Sequence, residues 1–371
     1  MGKDWSCEEW KPFILMLAID LAFAIVNILL KQMLDGGMNH LVFITYRLVI
    51  SASFLGPIDY FAERNTRPRL TPRILCYLFF SAILGTALTQ YFFLLGIQYT
   101  SAYFSCAFIN IVPILTFVMA LPFGIETLDI THSSGKAKVL GTLICIAGAL
   151  ILTLYKGKPL INGASSRVGA HQASTPGSKP NSTKRIQNWT IGLICLSSGT
   201  VLWSLWFLVQ SSISRRYPCQ YSSTAIMSFF GSIQAGALSF STSRSLSVWV
   251  LHSKTEILTV LFSGMVGSGL CFVGMSWCVK KRGPVFTAAF SPFIQIMAAI
   301  FDIPFLHEEL RVGSLVGSVL VMIGLYLLLW GKNQEMQRNV ARVAQEAVEC
   351  KNGETKIEVD EEQGSHRVPS S

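Results

Sequence analysis

Long apolar stretches separated by short polar segments dominate the pattern along this chain. Ten of the stretches are close to the ~20 residues that an α-helix needs to cross the hydrocarbon core of a bilayer. Helices satisfy their own backbone hydrogen bonds in lipid, and the stretches lack the strict alternation of barrel strands. The pattern predicts ten transmembrane helices at residues 12–30, 41–60, 74–97, 103–123, 138–155, 189–210, 222–240, 256–279, 284–306 and 312–330.

Composition agrees with an all-α integral membrane protein. Of the 371 residues, 51% are hydrophobic and only 14% are charged, whereas soluble domains average about 25% charged residues. The net charge of +9 comes from short basic clusters between the apolar stretches rather than from a continuous basic face. Nucleic acid is therefore not an expected partner; the lipid bilayer is.

The distribution of Lys and Arg in the short loops predicts that both termini are cytoplasmic. With that orientation eleven cations lie in the short inner loops and four in the short outer loops, as the positive-inside rule requires. Residues 1–11 are then a cytoplasmic N-terminus and residues 332–371 a cytoplasmic tail. Residues 156–188 are predicted to be a polar, disordered external linker with a glycosylation sequon at Asn181.

The second half of the sequence repeats features of the first. The motif Pro-Phe-x-x-Glu occurs at residues 122–126 and again at 304–308, and the same offset of 182 pairs Gly85 with Gly267 and Leu88 with Leu270. Each half, 12–155 and 189–331, holds five predicted spans. Because five is odd, the second repeat must be inverted relative to the first. Inverted repeats are typical of secondary transporters that work by alternating access.

Polar residues on the first span are the first candidates for a substrate path. Asp20, Asn27 and Lys31 lie within about 40° of one helix face, and Asp20 lies near mid-membrane. A charge at that depth costs roughly 2.5–3.5 kcal/mol on insertion scales. Asp20 is expected either to bind a proton or an ammonium group in a polar cavity, or to be held neutral or paired for packing. Lys31 lines the path or extends to the interface.

Further candidates lie on other spans. Arg47 either neutralises a substrate carboxylate or pairs with Asp20 or Glu126, and Gln90 and Asn110 either line the cavity or form interhelical hydrogen bonds. Pro113 and Pro292 interrupt the fourth and ninth spans and either open backbone carbonyls toward the site or only kink the helices. The first, third, fourth, sixth, eighth and ninth spans are expected to line the path. The remaining candidates on these spans are Trp206, Gln210 and Gln295.

A structural rather than substrate-binding role is predicted for another set of residues. These are two pairs of glycines at matching positions and the two glutamates that end the repeated motif: Gly141, Gly148, Gly317, Gly324, Glu126 and Glu308. No nucleotide-binding motif, catalytic motif or metal-ligand spacing is found. The protein is therefore expected not to be an enzyme, to need no cofactor or metal, and to transport along gradients.

Several motifs resemble those of the plant walls-are-thin-related (nodulin-like) proteins, which carry two EamA domains within the drug/metabolite transporter superfamily. The resemblance covers residues 10–332 and is carried by these stretches: Asn27-x3-Lys31, Tyr46-Arg47, Arg67-Pro68-Arg69-Leu70-Thr71, Asn110-x2-Pro113, Arg282-Gly283-Pro284-Val285-Phe286 and Trp330-Gly331-Lys332.

The resemblance implies export or facilitation of amino acids, auxin or related small solutes at a plasma or vacuolar membrane. A homodimer is a further expectation. Asp20 departs from the family pattern, which usually has Gln there, and Phe23 replaces a common Tyr. The alternative to a carrier is a non-transporting scaffold or receptor component that acts through its linker or tail.

Overall fold

The computed structural model describes part of the chain. It comprises residues 7–35, 38–65, 67–100, 102–126, 131–154, 182–242, 249–251, 253–294, 297, 316–317, 319–338, 341–342 and 345. The regular structure of these residues is helical, with no strand among them. Within them, five helices are long and apolar enough to span a membrane, and the all-α fold is confirmed.

The helices of the first repeat follow the predicted spans closely. The third span is built from α3, a π-helical segment (π1) and α4. The bounds are α1 Cys7–Asp35, α2 His40–Glu63, α3 Pro72–Ala82, π1 Ile83–Leu88, α4 Thr89–Tyr99, α5 Ala102–Ala120 and α6 Ser133–Leu154.

The second repeat has the same order of elements. Its third span again contains a π-helical segment (π2), between α9 and α10. The bounds are α7 Ser182–Arg216, α8 Gln220–Thr242, α9 Lys254–Phe262, π2 Ser263–Leu270, α10 Cys271–Arg282 and α11 Pro284–Ala288. The last helix, α12, covers residues 319–338.

The two π-helical segments end at Leu88 and Leu270, which are separated by the sequence offset of 182. Each segment carries a glycine that allows another span to approach closely. A Cβ atom on Gly85 would lie 2.2 Å from the indole of Trp206, and one on Gly267 would lie 3.2 Å from Val26. The repeat seen in the sequence is therefore a repeat of local backbone geometry.

Equivalent spans of the two repeats run antiparallel. Along the contact between α2 and α8, the hydroxyl groups of Ser51 and Ser228 are hydrogen-bonded at 3.0 Å. Leu48, one turn before Ser51 on α2, lies beside Gly231, which comes after Ser228 on α8. Rising residue numbers on one helix thus meet falling numbers on the other. This geometry confirms that the second repeat is inverted.

The predicted glycine seam joins α6 to α12. A Cβ atom on Gly141 would lie 2.7 Å from the carbonyl oxygen of Gly324, and one on Gly148 would lie 3.0 Å from that of Gly317. Only a hydrogen atom fits at these contacts, so the two backbones pack directly against each other. The seam closes the bundle between the last spans of the two repeats.

Gly324→Ala is expected to lower the free energy of unfolding by about 1–3 kcal/mol, because overpacking forces the backbones apart. The added Cβ atom would lie 2.5 Å from the backbone nitrogen of Cys145. Gly56→Ala in α2 is the matched control, since no atom lies within 4 Å of the position that its Cβ would take. Thermal unfolding of both purified variants in detergent tests this, and equal midpoints would contradict the seam.

Three boundaries differ from the sequence prediction. The helix α7 begins at Ser182, so the end of the predicted disordered linker is helical, while residues 155–181, with the sequon at Asn181, lie outside the described residues. The ninth span is interrupted, because α11 ends at Ala288 and helix resumes only at residues 291–294. The tenth span continues to residue 338, well past the predicted start of the tail.

Candidate functional site

The side chains on one face of α1 are buried near the start of the helix and exposed toward its end. Phe13 packs edge-on against Phe286 at 5.1 Å between ring centroids. Met16 and Asp20, which follow Phe13 on the same face, are also buried. Asn27, two turns further along the same face, is exposed. Asp20 and Ala24, which precede Asn27 on that face, are buried, so the face becomes exposed only toward the end of α1.

Asp20 is buried in the middle of the bundle, with 1% of its surface exposed. It faces α10, where it lies within electrostatic range of the thiols of Cys271 and Cys278, two turns apart. Its Oδ2 atom has no hydrogen-bond partner among the described residues. A buried carboxylate with an unsatisfied oxygen is costly, so it needs a proton, water or a cationic group to complete its shell.

Arg47 approaches the same region from α2. Its guanidinium lies 6.0 Å from the ring centroid of Phe43 and within electrostatic range of Cys271, and its Nε atom lacks a hydrogen-bond partner among the described residues. Arg47 and Asp20 therefore lie on α2 and α1, two helices that both pack against the third span of the second repeat. The predicted pairing of Arg47 with Asp20 or Glu126 is not found as an ion pair in this part of the chain.

Aromatic rings from α7 and α10 pack together in the hydrophobic core that also contains Met16 and Ile19 of α1. Trp203 stacks on Trp206 at 4.9 Å and 14°, and Phe272 meets the Trp206 ring at 5.4 Å. Trp206 is fully buried, and its indole nitrogen has no partner among the described residues. The aromatic cluster is therefore packed core, adjacent to the helix that carries Asp20.

Of the remaining candidates, Gln210 is also buried and donates a hydrogen bond to Ser276 at 2.8 Å. Asn110 is buried on α5, and Gln90 is half-buried on α4. Nothing in the sequence distinguishes Ser276, because serine is common in the apolar stretches and only the fold brings this one to Gln210.

The two prolines behave differently. The helix α5 continues through Pro113, and the carbonyl of Val112 accepts a hydrogen bond from Ser204 at 3.3 Å. Pro292 follows the interruption after Ala288. The ninth span is thus the discontinuous one of the two, as its missing backbone donor allows. Gln295, Glu308 and the side chain of Lys31 lie outside the described residues.

A buried ion-pair cluster lies at the terminal face, the end of the bundle at which α1 begins and α12 ends. Glu126 pairs with Lys138 at 3.4 Å and with Lys332, and Lys138 also pairs with Glu335. Burial lowers the pKa of Lys332, and the neighbouring carboxylate of Glu126 opposes that shift. The cluster is consistent with the structural role predicted for Glu126, and it adds three residues that the sequence did not reveal.

A second network joins the repeats at the same face. Arg67 donates to the Tyr217 hydroxyl at 2.9 Å and pairs with Asp59 at 3.3 Å, and the Tyr217 hydroxyl lies 2.7 Å from that of Ser222. Burial raises the pKa of Tyr217, against the opposing effects of Ser222 and Arg67. Glu63 accepts hydrogen bonds from the first backbone amides of α8, at 2.9 and 3.2 Å, where a carboxylate is favoured.

Two inverted helical repeats around buried charged groups define a multi-pass membrane protein of the transporter class. The chain belongs to the EamA-like transporter family, whose model matches residues 10–154 and 190–330. It is 51% identical over 339 residues to a WAT1-related protein of Arabidopsis thaliana, covering 91% of this chain and 92% of that one.

Other comparisons agree with this membership. The protein WALLS ARE THIN 1 of Arabidopsis thaliana is 37% identical over 330 residues, covering 88% of this chain and 85% of that one. A solved structure, described only as a crystal structure of protein, aligns with a TM-score of 0.61 over 86% of this chain and 98% of that one. At 16% identity that structure supports the fold alone.

Proposed function

We propose that the protein is a gradient-driven carrier of small organic solutes, amino acids foremost, with its site between the two inverted repeats. The observation that carries this proposal is that Asp20 and Arg47 each have a buried polar atom without a hydrogen-bond partner among the described residues. The two side chains come from α1 and α2, which both pack against the third span of the other repeat.

A zwitterion matches this arrangement. The ammonium group of an amino acid supplies the cation that the unsatisfied Oδ2 atom of Asp20 needs, and its carboxylate accepts hydrogen bonds from the guanidinium of Arg47. The Oδ2 atom of Asp20 and the Nε atom of Arg47 then gain partners in the occupied site, which favours occupied over empty sites during translocation.

Access in this conformation is from the face opposite the termini. Asn27 is exposed on that side of Asp20, whereas Phe13 contacts Phe286 and Phe290 on the terminal side, at 5.1 and 6.0 Å. Alternating access then requires the phenylalanine contacts to separate while the opening at Asn27 closes. The antiparallel repeats provide two related conformations for this exchange.

Counterflow in proteoliposomes tests the proposal with labelled amino acids, auxin and nucleobases. We expect exchange of amino acids above that of empty liposomes, and at least about a tenfold loss in Arg47→Gln because the carboxylate loses its charged donor. Arg64→Gln, at the exposed end of α2, is the matched control and keeps its rate.

The panel separates the alternatives. Exchange of auxin without exchange of amino acids would replace the proposed substrate class while keeping the carrier. If no solute exchanges, the proposal fails. Equal amino-acid exchange by the wild type and Arg47→Gln would remove Arg47 from the site.

A further inference from the structure

An open cleft of about 360 Å³ lies at the terminal face, outside the site described above. Its walls come from four helices of the second repeat, the ends of α7, α10 and α12 and the start of α11, and from Ile125 and Glu126 of the first. Ser211 and Ser214 form a buried polar side of the cleft, and Val279 and Pro284 form its apolar part. The cleft therefore lies where ends of separate helices meet.

The lining has an excess of positive charge. It contains four cations, Arg215, Lys280, Arg282 and Lys332, and two carboxylates, Glu126 and Glu335. Both carboxylates are already in ion pairs with lysines, Glu126 with Lys138 and Lys332 and Glu335 with Lys138. Arg215 and Lys280 are exposed at the rim. Such a cleft attracts anionic groups.

The chain itself carries a matching anionic segment. Residues 354–362 contain five acidic residues and one lysine, a net charge of −4: Glu354, Lys356, Glu358, Asp360, Glu361 and Glu362. This segment follows α12, which contributes Lys332 and Glu335 to the cleft wall. The tail thus leaves the bundle on the same side as the cleft, whichever side of the membrane that is.

The distances allow the segment to return to the cleft. The described part of α12 ends at residue 338, about one turn beyond Glu335 of the cleft wall. The sixteen residues from 338 to 354 can reach up to about 50 Å when extended. This length exceeds the distance from the end of α12 back to the cleft, so the acidic residues can reach Arg215 and Lys280. Tethering supplies an effective concentration in the millimolar range.

We propose that the acidic segment 354–362 docks in cis in the basic cleft at the terminal face. Docking bridges the ends of α7, α10 and α12 through Arg215, Lys280 and the cleft wall of α12. It holds these three helix ends together without any contact to the Asp20 and Arg47 site.

A peptide of residues 352–364, carrying a fluorophore, tests the docking on full-length protein in nanodiscs. We expect it to bind the full-length variant whose five tail acids are changed to Gln or Asn. Binding to the wild type should be at least about tenfold weaker, because the native tail occupies the cleft. Binding should also fall as NaCl is raised, since the contact is between exposed charges.

Cleft variants locate the site. In the neutral-tail background, Arg215→Gln with Lys280→Gln is expected to weaken peptide binding about tenfold or more. Arg69→Gln with Arg73→Gln, at exposed positions between α2 and α3, is the matched control and should bind as before. Equal binding by the two double variants, or equal binding by the wild type and the neutral-tail protein, overturns the proposal.

Binding of inorganic phosphate distinguishes a cleft that the tail occupies from a cleft that binds free anions. If docking is correct, phosphate binds the neutral-tail protein more tightly than the wild type. Equal, tight phosphate binding by both proteins would show a cleft that the tail does not occupy, and this too overturns the proposal. All of these readouts measure binding, so they stand or fall independently of the transport activity.

Discussion

Asp20→Asn is expected to abolish coupled uptake of amino acids in proteoliposomes while leaving the folded protein intact. The change removes the charge and the exchangeable proton but keeps the shape of a side chain that is almost fully buried, since 1% of its surface is exposed. An ionised carboxylate at mid-membrane depth costs roughly 2.5–3.5 kcal/mol, so its loss should not destabilise the bundle. We expect at least about a tenfold lower rate and a flattened pH dependence.

The combination of lost transport and retained stability is what separates a functional from a packing role for Asp20. Uptake should be measured at several pH values, alongside thermal unfolding of the same preparations. Glu256→Gln is the matched control, because it removes a carboxylate from the start of α9 while a glutamine still completes the capping box with Ser253. Unchanged uptake and pH dependence in Asp20→Asn would exclude Asp20 from the mechanism.

The inverted repeat was predictable because the constraints on it are local. A Cβ atom at residue 85 would overlap the indole of Trp206, and one at residue 267 would crowd the side chain of Val26, so a small residue is favoured at both positions. Such a requirement remains visible in sequence at a fixed offset. The two π-helical segments at the same places were not predictable. A π-helical turn interrupts an α-helix over only a few residues, which is too short a stretch to change the pattern of apolar positions along the span.

The charged contacts were less accessible to sequence reasoning. Glu126 and Lys138 are separated by a loop, and Lys332 lies 206 residues from Glu126, so only the packing of α6 against α12 brings the three together. Arg47 was expected to pair with a carboxylate, but helix directions place Glu126 at the terminal face and Arg47 in the other half of the bundle. The position of a residue along its span indicated the end of the bundle near which it lies, whereas its facing partner was not predictable.

Lys138→Met is expected to lower the free energy of unfolding by about 3–5 kcal/mol, the usual result of removing one partner from a buried ion pair. Lys138 is 3% exposed and pairs with both Glu126 and Glu335. Its loss would leave Glu335 without that partner and Glu126 with Lys332 alone. Thermal and denaturant unfolding of the purified variant measure the effect. Lys136→Met, an exposed lysine on the same helix, is the matched control and should change stability by less than about 0.5 kcal/mol.

A double variant shows whether the loss of stability in Lys138→Met comes from the carboxylate of Glu335 that has lost its lysine. Lys138→Met combined with Glu335→Met removes both members of one pair and keeps the Glu126–Lys332 pair, so it should recover part of the lost stability. The recovery arises because an apolar pair avoids the desolvation cost of an unpaired charge. Because Lys138 belongs to the first repeat and Glu335 to the second, this coupling measures how strongly the repeats are held together at the terminal face. If the two substitutions destabilise additively, the ion pair contributes nothing to that contact, and the glycine seam between α6 and α12 accounts for it alone.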